Sequence, residues 1–121
     1  MNSKKIAIID DDVAILDSLG AMLDLEGYEV DTFERGSDIF DHVKLAEMPN
    51  IILLDMWLSG EDGRDICRKL KEDEGTKHIP VVMMSASRGL GHTAIESGAN
   101  SFIAKPFEIE DIISRLHELT S

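Results

Sequence analysis

Four apolar residues in a row, Ile51-Ile52-Leu53-Leu54, end on a carboxylate, Asp55, and the chain then breaks into the loop Met56-Trp57-Leu58-Ser59-Gly60-Glu61-Asp62-Gly63. The apolar run reads as a strand buried on both faces, and the glycines mark the turn that follows it. An unpaired buried carboxylate costs on the order of several kcal/mol. Asp55 therefore needs a reason to stand where it does. The carboxyl end of a parallel strand is where open α/β sheets place their chemistry, and that supplies one.

Similar signals run the length of the chain. Lys5-Ile6-Ala7-Ile8-Ile9 is a short apolar run that ends in Asp10-Asp11-Asp12. Asp12 is a plausible helix N-cap, Val13, Leu16, Leu19 and Leu23 repeat at helical spacing, and Gly27 supplies the stop. Tyr28 to Phe33 alternates, as suits a less buried second strand. Gly36 and Ser37 open a second helix with Ile39, Val43 and Ala46 on one face, and Met48-Pro49-Asn50 breaks it. After Gly63, the residues Ile66, Cys67 and Leu70 mark a third helix. Val81-Val82-Met83-Met84 is a fourth strand ending at Ser85, and a glycine-containing loop leads to a short helix over His92 to Ser97. Ser101-Phe102-Ile103-Ala104 is a fifth strand ending at Lys105-Pro106, and Ile109, Ile112, Ile113, Leu116 and Leu119 line a last helix.

Strands alternating with helices, several of the strands nearly all apolar, predict a parallel sheet covered on both faces. Right-handed crossovers make it a doubly wound α/β sandwich of the flavodoxin-like (βα)5 kind, with five parallel strands in the order 2-1-3-4-5. Residues 1–121 are expected to form one domain. In that order the first and third strands are neighbours, and acids lie at both carboxyl ends: Asp10 and Asp11 on one, Asp55 on the other. Ser85 ends the next strand and Lys105 the one after. Carboxylates would then outnumber the amine around a single crevice. A hard divalent cation such as Mg²⁺, which shares its ligands with phosphate, would relieve the excess charge. Together with Lys105 it could hold the equatorial oxygens of a phosphoryl group in transfer. Asp55 is accordingly the candidate nucleophile.

Composition narrows the alternatives. The formal net charge of −12 disfavours nucleic acid or an anionic membrane as primary partner. The lone Cys67 excludes an internal disulfide and reads as helix core. No apolar run approaches the roughly 20 residues of a membrane span. No signal-peptide pattern precedes the first strand, so a cytoplasmic location is expected. The histidines lack zinc-ligand spacing, and no Walker motif is present.

These motifs resemble, from end to end, the receiver (response-regulator) domain of bacterial two-component signalling. The match lies in Asp10-Asp11 after the first strand, the segment from Asp55 to Gly63, Ser85-Ala86, and Lys105-Pro106-Phe107, whose Lys-Pro bond is usually cis in that family. The resemblance implies that Asp55 accepts a phosphoryl group from a sensor histidine kinase, a phosphotransfer protein or a small donor such as acetyl phosphate. It implies Mg²⁺ held by Asp11, by Asp55, by the backbone carbonyl of Trp57 and, through water, by Asp10. Lys105 would pair with the phosphoryl oxygens. Ser85 and Phe102 would form a switch that alters the surface for a downstream protein.

The sequence departs from the family pattern in places. Ser59 stands where the family commonly has Pro, so the loop after Asp55 is expected to be more mobile, with no chemical group lost. The stretch from Ser85 to Lys105 is shorter than usual, which shortens the fourth-helix region and with it the usual output face. Trp57 and Ser87 flank the expected pocket mouth. There Trp57 would slow hydrolysis of the acyl phosphate or, equally, contact a partner. Against the phosphoacceptor reading stands a phosphorylation-independent receiver used for docking or dimerisation. A haloacid-dehalogenase-type phosphatase would place a second Asp where Trp57 stands, and the acids after the first strand would repel the phosphate of a flavin. The chain reads either as a stand-alone receiver or as part of a longer regulator or hybrid kinase.

Overall fold

The computed structural model describes residues 4–45 and 48–120, the side chains of 42–45 excepted. Strands β1 (Lys5–Ile9), β2 (Glu29–Phe33), β3 (Ile51–Asp55), β4 (Val81–Ser85) and β5 (Ser101–Ala104) form one parallel sheet in the order β2-β1-β3-β4-β5. Helices α1 (Val13–Leu25) and α5 (Ile109–Thr120) cover one face, and α2 (Asp38–Leu45), α3 (Gly63–Glu72) and α4 (Gly91–Glu96) cover the other. This is the doubly wound sandwich expected from the sequence.

The period-two alternation of each inner strand divides the core. Ala7, Ile9, Ile52, Leu54, Val81 and Met83 face α2, α3 and α4, while Ile6, Ile8, Ile51, Leu53, Val82 and Met84 face α1 and α5. Both faces of β1, β3 and β4 are therefore packed, and their sequences are apolar throughout. The edge strand β2 shows solvent on one side, consistent with its alternating pattern.

Local signals fix the ends of the helices. The Asp12 carboxylate accepts the N–H groups of Ala14 (3.0 Å) and Ile15 (3.4 Å), capping α1 as expected. At its other end Tyr28 N–H donates to the Leu23 carbonyl and Gly27 N–H to that of Asp24, with Gly27 at φ 97°: the 6→1 and 5→2 bonds of a Schellman stop. Ile66, Cys67 and Leu70 on α3 are buried, as are Ile112 and Leu116 on α5. Val13 is a correction: at 49% exposure it belongs to the solvent face. It is the first residue of α1. Ile39 is core, whereas Ala46 and the side chain of Val43 lie outside the described residues. The short fourth helix begins at Gly91, after a 3₁₀ turn over Arg88–Leu90 that occupies part of the expected loop.

The loop after Asp55 holds an element that periodicity did not reveal. Two-residue strands, Trp57–Leu58 and Glu61–Asp62, pair antiparallel and reverse at Ser59-Gly60, where Gly60 takes φ 75°. Gly63 N–H then donates to the Met56 carbonyl at 2.7 Å and starts α3. A Cβ at Gly63 would overlap the Asp55 carbonyl oxygen and lie 3.0 Å from the Met56 Cα, both backbone atoms. Gly63→Ala is therefore expected to cost about 1–3 kcal/mol, as overpacking against rigid atoms does. A lower urea midpoint at unchanged m would register it, and a parent-like midpoint would refute it.

Candidate functional site

The register of the sheet decides which strand ends meet. Ile9 pairs with Leu54 and Asp55 with Met84, while Ser85 pairs with Ala104. The residues just past these pairs, Asp10 and Lys105, therefore reach the same rim as Asp55 and Ser85. Carboxylate oxygens of Asp10, Asp11 and Asp55 lie within 4.8 Å of one another. Lys105 Nζ donates to Asp10 Oδ2 at 2.9 Å and lies 3.1 Å from Asp55 Oδ1. Residues 95 apart in sequence thus share one ion-paired cluster.

Burial differs sharply among the acids. Asp10 is 1% exposed and Asp55 6%, whereas Asp11 opens to solvent. Both oxygens of Asp10 are engaged: Oδ2 with Lys105, and Oδ1 with the N–H of Asp12 at 2.9 Å. Burial, and next the charge of Asp10, raises Asp55 from 3.8 to about 6, with Lys105 pulling the other way. Burial alone would lower Lys105, but its hydrogen bonds to Asp10 and Asp55 outweigh that and raise it overall. Above about pH 6 the Asp55 carboxylate is ionised, able to act as a nucleophile, and poised beside a fixed cation. The three carboxylates can also converge on a hard cation. Asp11 faces a polar hollow of about 460 Å³, lined also by Glu34, Arg35, Ser37, Ser59 and Glu61, which leaves room for a hydrated ion.

The remaining expected residues lie around this cluster at different depths. Ser85 is buried at the end of β4, where its Oγ accepts the Ser87 N–H at 3.0 Å and its carbonyl accepts the Lys105 N–H at 2.8 Å. Ser87 itself is exposed at the start of the 3₁₀ turn. Phe102 is half-buried on β5, where its ring packs on the core beneath α4 and lies 3.1 Å from the point a Gly91 Cβ would occupy. The Lys105-Pro106 bond is cis.

Trp57 is 46% exposed, and the Arg64 guanidinium stands 4.7 Å from its ring centroid. Arg64 is in turn held by both oxygens of Asp62 and by Thr93 Oγ1 on α4. The hydrogen bonds from Arg64 hold the Asp62 carboxyl below the usual carboxylate range.

Sequence reasoning missed three participants. Ser59 Oγ donates to Asp11 Oδ2 at 2.7 Å, so the loop gains a polar tie where only mobility was expected. Glu61 accepts the N–H groups of Gly36 (2.7 Å) and Ser37 (3.1 Å), fastening the hairpin to the loop before α2. Arg64 had no signal beyond its place in the first turn of α3.

Residues 6–117 match the family model described as the response regulator receiver domain. The response regulator PleD of Caulobacter vibrioides is 40% identical over 120 residues, covering 98% of this chain and 26% of PleD. The chain spans about a quarter to a half of the length of the curated relatives it matches. Among solved structures, a response regulator from Chloroflexus aurantiacus superposes with TM-score 0.92 at 26% identity, covering 98% of each chain. The receiver domain of the sensor histidine kinase PA1611 from Pseudomonas aeruginosa, solved with a magnesium ion coordinated in its active-site cleft, has the same fold. It superposes with TM-score 0.88 at 22% identity, covering 98% of each chain.

Proposed function

This chain belongs to the response regulator receiver family, and from that membership we propose that Asp55 is its phosphoacceptor. The observation that carries the reading is the shared ion-paired cluster of Asp10, Asp55 and Lys105, with Asp11 beside it. A carboxylate oxygen of Asp55 attacks the phosphorus of a phosphohistidine on a sensor histidine kinase or phosphotransfer protein, or of a small donor such as acetyl phosphate. The new O–P bond forms as the bond to the donor breaks, and the leaving group keeps the electron pair. Lys105 supplies the fixed positive charge that meets the phosphoryl oxygens.

Mg²⁺ fits the donor set. Asp11 and Asp55, with the backbone carbonyl of Trp57, would hold it. Asp10 has both oxygens engaged and suits a water-mediated contact. When bound, the ion offsets the charge gathered by the carboxylates and the phosphoryl oxygens. Ser85 releases the Ser87 N–H to donate its hydroxyl to the acyl phosphate, and Phe102 turns further inward beneath α4. That movement changes the surface offered to a downstream protein. The test is intact-mass measurement after incubation with acetyl phosphate and Mg²⁺: the mass of one phosphoryl group should be gained. A protein that gains none, and forms no beryllofluoride adduct with Mg²⁺, is a docking or dimerisation module instead.

Trp57 has a role in the lifetime of that adduct. Its half-exposed ring follows Asp55 by two residues and is steadied by Arg64, a cation–π contact worth about 0.5–1 kcal/mol. Held there, the indole hinders water from reaching the acyl phosphate. Trp57→Ala is expected to shorten the acyl-phosphate half-life several-fold, followed by loss of the adduct mass after the donor is removed. An unchanged half-life would leave Trp57 as a partner-contact residue.

A further inference from the structure

We infer that Ser59 is a positioning residue for the cation and sets its preference for Mg²⁺ over Ca²⁺. The inference rests on the reading of the acidic cluster as an Mg²⁺ site. Ser59 lies at the tip of the hairpin between Leu58 and Glu61, where Gly60 at φ 75° makes the reversal. The hairpin is fastened from two sides, by Gly63 N–H on the Met56 carbonyl and by Glu61 on the N–H groups of Gly36 and Ser37. The Ser59 hydroxyl is thus presented to Asp11 Oδ2 at 2.7 Å.

Asp11 is the exposed member of the cluster and faces the polar hollow by which a hydrated ion would enter. Without a partner its carboxylate would rotate freely. The Ser59 bond fixes its plane and engages Oδ2, so the group offers a cation one oxygen more readily than a bidentate pair. Mg²⁺ demands near-octahedral single-oxygen ligands, whereas Ca²⁺ accepts bidentate carboxylates and a looser shell. The hydroxyl therefore favours the smaller ion. A proline at this position would preset the turn but bring no donor.

Isothermal titration of Mg²⁺ and of Ca²⁺ into the parent, Ser59→Ala and Ser59→Thr proteins decides the matter. Ser59→Ala should weaken Mg²⁺ about 10-fold, the lower end of the loss usual when a hydrogen bond to a metal ligand is removed. Ca²⁺ should change less, so the selectivity narrows, and Ser59→Thr should restore both affinity and preference. An Ala variant that binds Mg²⁺ as the parent does, or that loses both ions in equal proportion, overturns the inference while leaving the phosphoacceptor reading standing. A parent that binds no Mg²⁺ overturns both. The side chain is exposed, so urea midpoints without metal should coincide for the three proteins.

Discussion

The Asp55→Asn protein is expected to gain no phosphoryl mass under conditions that load the parent, and to be more stable than the parent at neutral pH without metal. The first effect follows from removing the nucleophilic oxygen. The second follows from its environment. Burial and the neighbouring Asp10 raise the folded-state value of Asp55 to about 6, from 3.8 for the free side chain. The folded protein therefore holds this proton more tightly than the unfolded chain does. Its contribution is fully favourable below about pH 4 and is lost as the pH rises through about 6. A shift of this size corresponds to at most about 3 kcal/mol of penalty at neutral pH. Asparagine keeps the shape without the charge and should recover much of it. Urea unfolding of both proteins from pH 4 to 7.5 would show the gap opening as the pH rises. A parent as stable as the variant at pH 7.5 would mean that the carboxylate is not penalised at all. A gap that opens would instead show charge conflict at this site, which a bound cation relieves.

Lys105→Met should do the opposite. The ammonium bridges two carboxylates, at 2.9 Å from Asp10 Oδ2 and 3.1 Å from Asp55 Oδ1, with 18% of its side chain exposed. Methionine keeps most of the stem and leaves two acids facing each other. Removing one partner of a fully buried pair costs about 3–5 kcal/mol, and the partial exposure here reduces the expected loss to about 2–3 kcal/mol at neutral pH. The raised pKa of Lys105 means that its contribution is present throughout the neutral range and fades only as the pH climbs past its unfolded value toward the folded one. The deficit should shrink in acid, where Asp55 takes up its proton, and should shrink again when Mg²⁺ is added, because a bound cation restores part of the missing charge. Phosphoryl uptake should fall steeply even with Mg²⁺ present, since no fixed cation then meets the transferring group. A urea midpoint matching that of the parent would sink the argument.

The two predictions have opposite signs because one removes a buried charge and the other removes its counterion. Both rest on contacts between residues far apart in the chain. Their identities were nevertheless legible beforehand. The run before Asp55, the acids after β1 and the lysine after β5 each end an apolar segment, and strand ends on one rim of a parallel sheet must converge. Cys67, Ile66 and Leu70 also announced their burial by helical spacing. Val13 fitted the same spacing yet is exposed, because periodicity reports a face of the helix without saying how far along that face the neighbouring elements reach.

The sequence by itself determined the alternation of strands and helices, the caps at Asp12 and Gly27, and the set of groups gathered at the sheet's rim. Hydrophobic period and turn chemistry are local properties, written in neighbouring residues. Only the tertiary structure decided that Ser59 bonds Asp11, that Glu61 fastens two loops, that Arg64 stacks on Trp57 and reaches Thr93, and that both oxygens of Asp10 are occupied. Each of these depends on where a short hairpin or helix end comes to rest against another segment. That position is set by packing and backbone hydrogen bonding across the whole fold, and no spacing along the chain encodes it.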